Sequence, residues 1–213
     1  VSQATRGDGS TVWGIAQAVA EFGVAHVALT GGTIGIAVLA GMQRDSSAQI
    51  DWSRVHLWWG DERFVERASA DRNANQARDA LLNRLDIPQA NIHEMPASDD
   101  GLPLDAAAKV YAAELAGHSS EGRLPAFDLT FLGIGPDSHV ASLFPDHEDA
   151  RQEGIAVPVR NSPKPPPERI SLTFEALNSS ERVWVVASGA DKAEAIAAMF
   201  AESDNLSVPS SCV

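Results

Sequence analysis

The chain has 213 residues, 44% of them hydrophobic and 21% charged, with a formal net charge of -13. These are the proportions of an ordinary globular protein able to bury one substantial core. The acidity excludes a nucleic-acid surface, which needs a basic footprint, and requires any anionic ligand to find a locally positive pocket. No apolar run approaches a membrane span, the N-terminus lacks a signal pattern, and the single cysteine, Cys212, cannot form an internal disulfide; a cytoplasmic protein is expected.

Residues 10 to 22 place Val12, Ile15, Ala16, Val19 and Ala20 at helical spacing. His26 to Leu29 reads as a strand, followed by Thr30-Gly31-Gly32-Thr33 and a helix through Ala37, Val38 and Met42. Val55 to Trp59 is a second strand, leading into a charged loop, Gly60-Asp61-Glu62-Arg63. Helical spacing returns over 73–85, a Pro/Asp/Gly-rich loop follows Ile92, and an Ala-rich helix spans 104–116. The β-branched and aromatic run 127–132 is a buried strand, broken by Gly133, Gly135 and Pro136 just before Asp137 and His139. Strands are expected at 155–159, 170–173 and 183–186, with a loop of four prolines at 161–168 and a last helix over 190–201. Strands alternating with helices predict one α/β domain, a mostly parallel sheet with helices on both faces in a Rossmann-like open sandwich.

Chemistry concentrates at predicted strand ends, where open α/β proteins place ligands. Gly31, Gly32 and Thr33 allow a sharp turn and bring backbone N–H groups to a helix N-terminus, a recipe for holding phosphate. The pattern is neither a P-loop nor a dinucleotide fingerprint. Arg63 offers a fork of donors to an oxyanion, and Asp61 can orient a histidine or a sugar hydroxyl. His139 titrates near neutrality and can give or take a proton. Arg169, after the proline-rich loop, and Lys192, in the first turn of the last helix, complete a candidate cationic cradle. Asp146-His147-Glu148-Asp149 reads as a solvated loop rather than a metal site, Cys212 as a thiol in a fraying terminus, and the five tryptophans as packing residues.

Taken together, these motifs resemble the 6-phosphogluconolactonase family, within the glucosamine-6-phosphate isomerase/deaminase-like fold group. The matching stretches are Leu29-Thr30-Gly31-Gly32-Thr33, Trp59 to Val65, Asn73-Ala74-Asn75, Gly133 to Pro145, Arg169 to Thr173 and Gly189 to Ala193. Departures are local: Ser138 stands where the family usually has Gly, Val140 where it has Thr, and Thr33-Ile34-Gly35 where Ser/Thr-Thr-Pro is usual. The single domain over 1–213 is expected to lack parts of the family's N- and C-terminal ends.

The resemblance implies hydrolysis of 6-phosphoglucono-δ-lactone to 6-phosphogluconate, with no metal or organic cofactor. His139 would be the general base, and Asp61 and Asp137 would orient it or the substrate hydroxyls; which aspartate partners the ring is left open. Gly31, Gly32, Thr33, Arg169 and Lys192 would hold the 6-phosphate, and Arg63 the phosphate or the oxyanion. The expected partner is a small sugar-phosphate lactone, with no nucleic acid or membrane, in a monomer or weak homodimer. A glucosamine-6-phosphate deaminase is the alternative enzyme. The deaminases carry an acid Glu five residues after the active-site His, and Phe144 stands there. A sugar-phosphate sensor without catalysis is the third reading, with no DNA-binding segment in the chain to favour it.

Overall fold

A computed structural model describes residues 10–44, 50–119, 126–201 and 206–213. In chain order the elements are α1 (Ser10–Phe22), β1 (Ala25–Leu29), α2 (Gly32–Arg44), β2 (Val55–Trp59), β3 (Asp61–Arg63), α3 (Asn73–Ala80), α4 (Leu104–Gly117), β4 (Leu129–Gly133), β5 (Ala156–Val159), β6 (Arg169–Leu172), α5 (Phe174–Asn178), β7 (Val183–Val186) and α6 (Ala193–Ala201). Short 3-10 turns occur at Trp52–Arg54, Leu82–Arg84, Gln89–Asn91, Glu148–Arg151, Ala190–Lys192 and Pro209–Cys212.

Four strands form a parallel sheet in the order β2-β1-β4-β7. Successive side chains leave opposite faces of a strand. Leu29 and Phe131 therefore meet Val38 and Leu39 of α2 on one face. On the other, Trp58 packs against Tyr111 of α4, whose hydroxyl accepts from Trp59 N at 2.9 Å. The sheet is sandwiched as expected. Trp58, Trp59, Leu57, Tyr111, Leu129 and Leu115 are all fully buried in its core, each apolar side chain contributing about 1.5–3 kcal/mol by leaving water.

Two parts of the chain depart from the sequence reading. Asp61–Arg63 is a strand rather than a loop, and with β6 and β5 it makes a separate antiparallel sheet in the order β3-β6-β5. Gly60 forms the corner: its N–H donates to Leu29 O at 2.9 Å, while its carbonyl accepts from Leu172 N at 2.8 Å. Three charged residues carry no apolar alternation, so their pairing is set by β6 rather than by local pattern. Pro158 pairs on the outer strand β5, where its missing N–H does no harm. The helix expected over 73–85 stops at Ala80, because Leu81 leaves helical geometry at φ -145° and ψ -53°, before a 3-10 turn.

The C-terminal turn is docked rather than frayed. Ser210 is buried and its N–H donates to Ser138 O at 2.9 Å, while Asn178 Nδ2 donates to Cys212 O at 2.6 Å. Asp149 also turns inward, accepting from Arg160 N and Gln152 Nε2; the solvated-loop reading fails for this member of the 146–149 segment. Among the described residues no helix is long and apolar enough to cross a membrane.

Candidate active site

The strand order reverses at β1, which has β2 on one side and β4 on the other. Chain segments leaving β1 and β4 therefore diverge, opening a crevice at their carboxyl ends. A cavity of about 560 Å³ lies there, lined by residues that include Gly31, Gly32, Thr33, Asp61, Arg63, His139, Lys164, Arg169 and Lys192. Of the nine expected site residues, only Asp137 does not line it directly. Asp137 lies behind the ring of His139.

The glycine turn is shaped for close approach. Gly32 has φ +72°, and a Cβ on Gly31 would lie 1.8 Å from Asn73 Oδ1. The N-terminus of α2, whose first-turn N–H groups have no partner within the helix and whose dipole end is positive, opens beside Gly31 and Gly32. Asn73 starts α3, donates to Asp61 O at 2.8 Å and accepts a short bond from Arg63 Nη1. Arg63 is thus aimed by Asn73 and by Asp71 O, at 3.0 Å.

Alternation along β3 sends Glu62 away from Asp61 and Arg63, into the protein. Its carboxylate accepts from the N–H groups of Arg63, Asn73 and Ala74 at 2.7–2.9 Å and lies 3.9 Å from buried Arg72. Burial pushes its pKa up to about 7, against the pull of Arg72 and those N–H donors. Asp61 accepts from Ser142 Oγ at 2.6 Å and lies 4.0 Å from Arg169 Nη1. Arg169 is itself buried, with its guanidinium donating to the carbonyls of Lys164, Pro165 and Pro166 at 2.9–3.2 Å. Loss of water lowers its pKa.

His139 is held from behind by Asp137, Nδ1 to Oδ1 2.5 Å. Of the two aspartates left open by the sequence, this is the one that pairs with the ring. With the proton on Nδ1 and donated to the Asp137 carboxylate, the neutral imidazole keeps its Nε2 lone pair free to act. Lys164 Nζ stands 3.2 Å from Nδ1 and 3.4 Å from Asp137. Burial lowers the His139 pKa from its ordinary value and Lys164 lowers it further, while Asp137 opposes both. A Cβ on Gly135 would lie 1.9 Å from His139 Nδ1, so only glycine admits the ring there.

A sequence profile of the family described as glucosamine-6-phosphate isomerases/6-phosphogluconolactonase matches residues 6–213. The chain is 46% identical over 199 residues to a 6-phosphogluconolactonase of Mycobacterium leprae, covering 92% of this chain and 80% of that protein. It is 48% identical over 203 residues to the 6-phosphogluconolactonase of Mycobacterium tuberculosis, covering 93% and 81%. The chain belongs to the glucosamine-6-phosphate isomerase/6-phosphogluconolactonase family. The crystal structure of 6-phosphogluconolactonase from Thermotoga maritima is also similar, with a TM-score of 0.84 at 28% identity, covering 96% of this chain and 87% of that one.

Within the 6-phosphogluconolactonase family pattern, the departures now have a geometry. Ser138 sits at φ 64°, the left-handed conformation that glycine takes freely and serine only at a cost. Val140 is fully buried and bridges to Leu143, so the methyl packs where a hydroxyl would need a partner. Phe144 is buried, with its ring 4.8 Å from His139 and beneath Arg169. Three polar residues of the site escaped the sequence reading. Asn73 stood in a matching motif but had no role. Ser142 likewise stood in a matching motif without a role, and Lys164 read as one residue of a proline-rich stretch. Lys192 lies in the 3-10 turn before α6, with Nζ 3.6 Å from Asp191.

Proposed function

We propose that this chain hydrolyses 6-phosphoglucono-δ-lactone to 6-phosphogluconate, the second step of the oxidative pentose phosphate pathway, with His139 as general base. One observation carries the reading. A carboxylate-backed imidazole shares its cavity with Arg63, Lys192 and a helix N-terminus. That pairing suits a neutral reacting ring with an anionic tail.

His139 Nε2 takes a proton from water as the oxygen attacks the lactone carbonyl. The imidazolium that forms is stabilised by Asp137. The carbonyl electrons move onto oxygen, and Arg63 is placed to meet either this charge or the phosphate. Collapse of the tetrahedral adduct breaks the bond to the ring oxygen, which takes the proton back from His139 and becomes a hydroxyl. A δ-lactone is an activated ester, so these groups suffice. A positioned base supplies roughly 10²–10⁴-fold and one oxyanion donor roughly 10²–10³-fold. Gly31, Gly32, Thr33 and Lys192 hold the phosphate, assisted by Arg169, which Asp61 and the three carbonyls fix in place. Asp61 also faces the substrate hydroxyls.

The deaminase alternative needs a proton-transferring acid five residues after the histidine. Phe144 fills that place with a buried phenyl ring, which favours the lactonase. The two readings separate on rates with phosphorylated and unphosphorylated gluconolactone and on ammonia release from glucosamine 6-phosphate. The proposal expects Lys192→Ala to weaken the phosphorylated lactone at least tenfold and the unphosphorylated one little. Equal losses on both, or ammonia release rivalling lactone hydrolysis in the parent protein, contradict it.

A further inference from the structure

Four of the chain's six histidines gather at the opposite end of the parallel sheet, where lactone chemistry has no use for them. His26 of β1 and His56 of β2 are partners in register, with ring centroids 4.9 Å apart. His118 caps the C-terminus of α4 and leans over both, its centroid 5.8 Å from His26 and 5.3 Å from His56. His26 stands four residues before Thr30, about 13 Å of extended strand from the catalytic crevice.

We propose that His26, His56 and His118 form a binding site for a divalent transition-metal ion of the zinc type, an ion that ties β1, β2 and α4 together. One nitrogen from each ring lies within 4.8 Å of the other two. Around zinc, with bonds of 2.0–2.1 Å, neighbouring ligand nitrogens are about 3.4 Å apart. The rings therefore close by little over an ångström, and exposed His118 at a helix end is free to make that movement.

The surroundings orient His56 as a ligand. Glu114 accepts from His93 Nδ1 at 2.6 Å, which leaves His93 Nε2 as an acceptor. That nitrogen lies 2.9 Å from His56 Nδ1, so the proton of His56 sits on Nδ1 and its Nε2 lone pair is free. A carboxylate behind an imidazole is the arrangement that fixes metal-ligating histidines, here extended through a second ring. Buried Trp58 stacks on His93 at 3.7 Å and holds that ring flat. His118 sits at the negative end of the α4 dipole, which favours a cation beside it. Ligation by His26 Nδ1 displaces one hydrogen bond, from Trp58 Nε1 at 3.1 Å. Imidazole ligands favour zinc, copper or nickel over calcium or magnesium, and three of them leave a fourth position to water.

The test is calorimetric titration of chelator-treated full chain with Zn²⁺ at neutral pH, paired with thermal unfolding. The expected result is one equivalent bound, with a midpoint of unfolding raised by about 5–10 °C at a hundredfold excess over the dissociation constant. His118→Ala, at an exposed helix end, should remove that shift and weaken binding at least tenfold. Glu114→Gln should weaken it by roughly 10–100-fold through the ring it orients. His139→Ala should bind as the parent does. Absence of binding, unchanged affinity in His118→Ala, or loss in His139→Ala overturns the proposal; the second outcome means an adventitious ion only.

Discussion

At the scale of single residues, the reactivity of His139 is set by opposed influences, with Asp61 adding to that of Asp137. Burial and Lys164 favour the neutral ring, while Asp137 favours the protonated one. A base must be neutral to act, so kcat/KM should rise with pH through the His139 pKa, with its acid limb below the ordinary imidazole value. Asp137→Asn removes the larger of the two influences that raise this pKa, leaving Asp61, and should move the limb to still lower pH, with a lower plateau because the ring loses its orienting partner. Lys164→Met removes a lowering charge and should move the limb up. Shifts in the same direction, or none, would mean that another group titrates in the rate. The His-bearing loop was legible from sequence because Gly133, Gly135 and Pro136 punctuate it beside a buried strand. Lys164 was not, since it reaches His139 from 25 residues away across folded structure. No local pattern encodes such a meeting.

At the scale of elements, the four parallel strands were readable because each is a short apolar run between turn residues. The small antiparallel sheet was not. Its strand β3 is Asp-Glu-Arg, which looks like a solvated turn until β6 pairs with it. That strand is the device that splits the site's charges, aiming Asp61 and Arg63 at the cavity and Glu62 at the start of α3. Glu62 takes the place of a conventional cap, since Arg72 makes no side-chain capping bond there. Glu62→Ala should therefore cost about 3–5 kcal/mol, leaving Arg72 buried without its counter-charge and the N–H groups of Asn73 and Ala74 without an acceptor. Urea unfolding checks this. A loss below about 1 kcal/mol, the net worth of a single ordinary hydrogen bond, would show that α3 begins without help from β3.

At the scale of the whole molecule, the parallel sheet separates two clusters of titratable groups. One end carries the crevice, the other the histidine stack. Burial, then the neighbouring imidazoles, pushes His26 and His56 down to about 4, from an ordinary 6.5. Between those values the unfolded chain binds more protons than the folded one. Their contribution is therefore complete above about pH 6.5 and is lost as the pH falls towards 4. Glu62 acts in the opposite sense. Its folded pKa of about 7 lies above the ordinary 4.5, so its contribution is lost as the pH rises through that window. Two imidazoles against one carboxyl predict a net fall in the unfolding midpoint from pH 6.5 to 4.5, measured with chelator present. His56→Gln should flatten that dependence. An unchanged slope would place the acid sensitivity elsewhere.

The central claim is that an imidazole in the crevice at the sheet's switch point carries out the hydrolysis. Its most direct measurement is the rate of 6-phosphoglucono-δ-lactone hydrolysis by the parent protein and by His139→Ala, with spontaneous hydrolysis subtracted. The account predicts a folded variant whose kcat is lower by roughly 10²–10⁴-fold. A variant that hydrolyses the lactone as fast as its parent contradicts it.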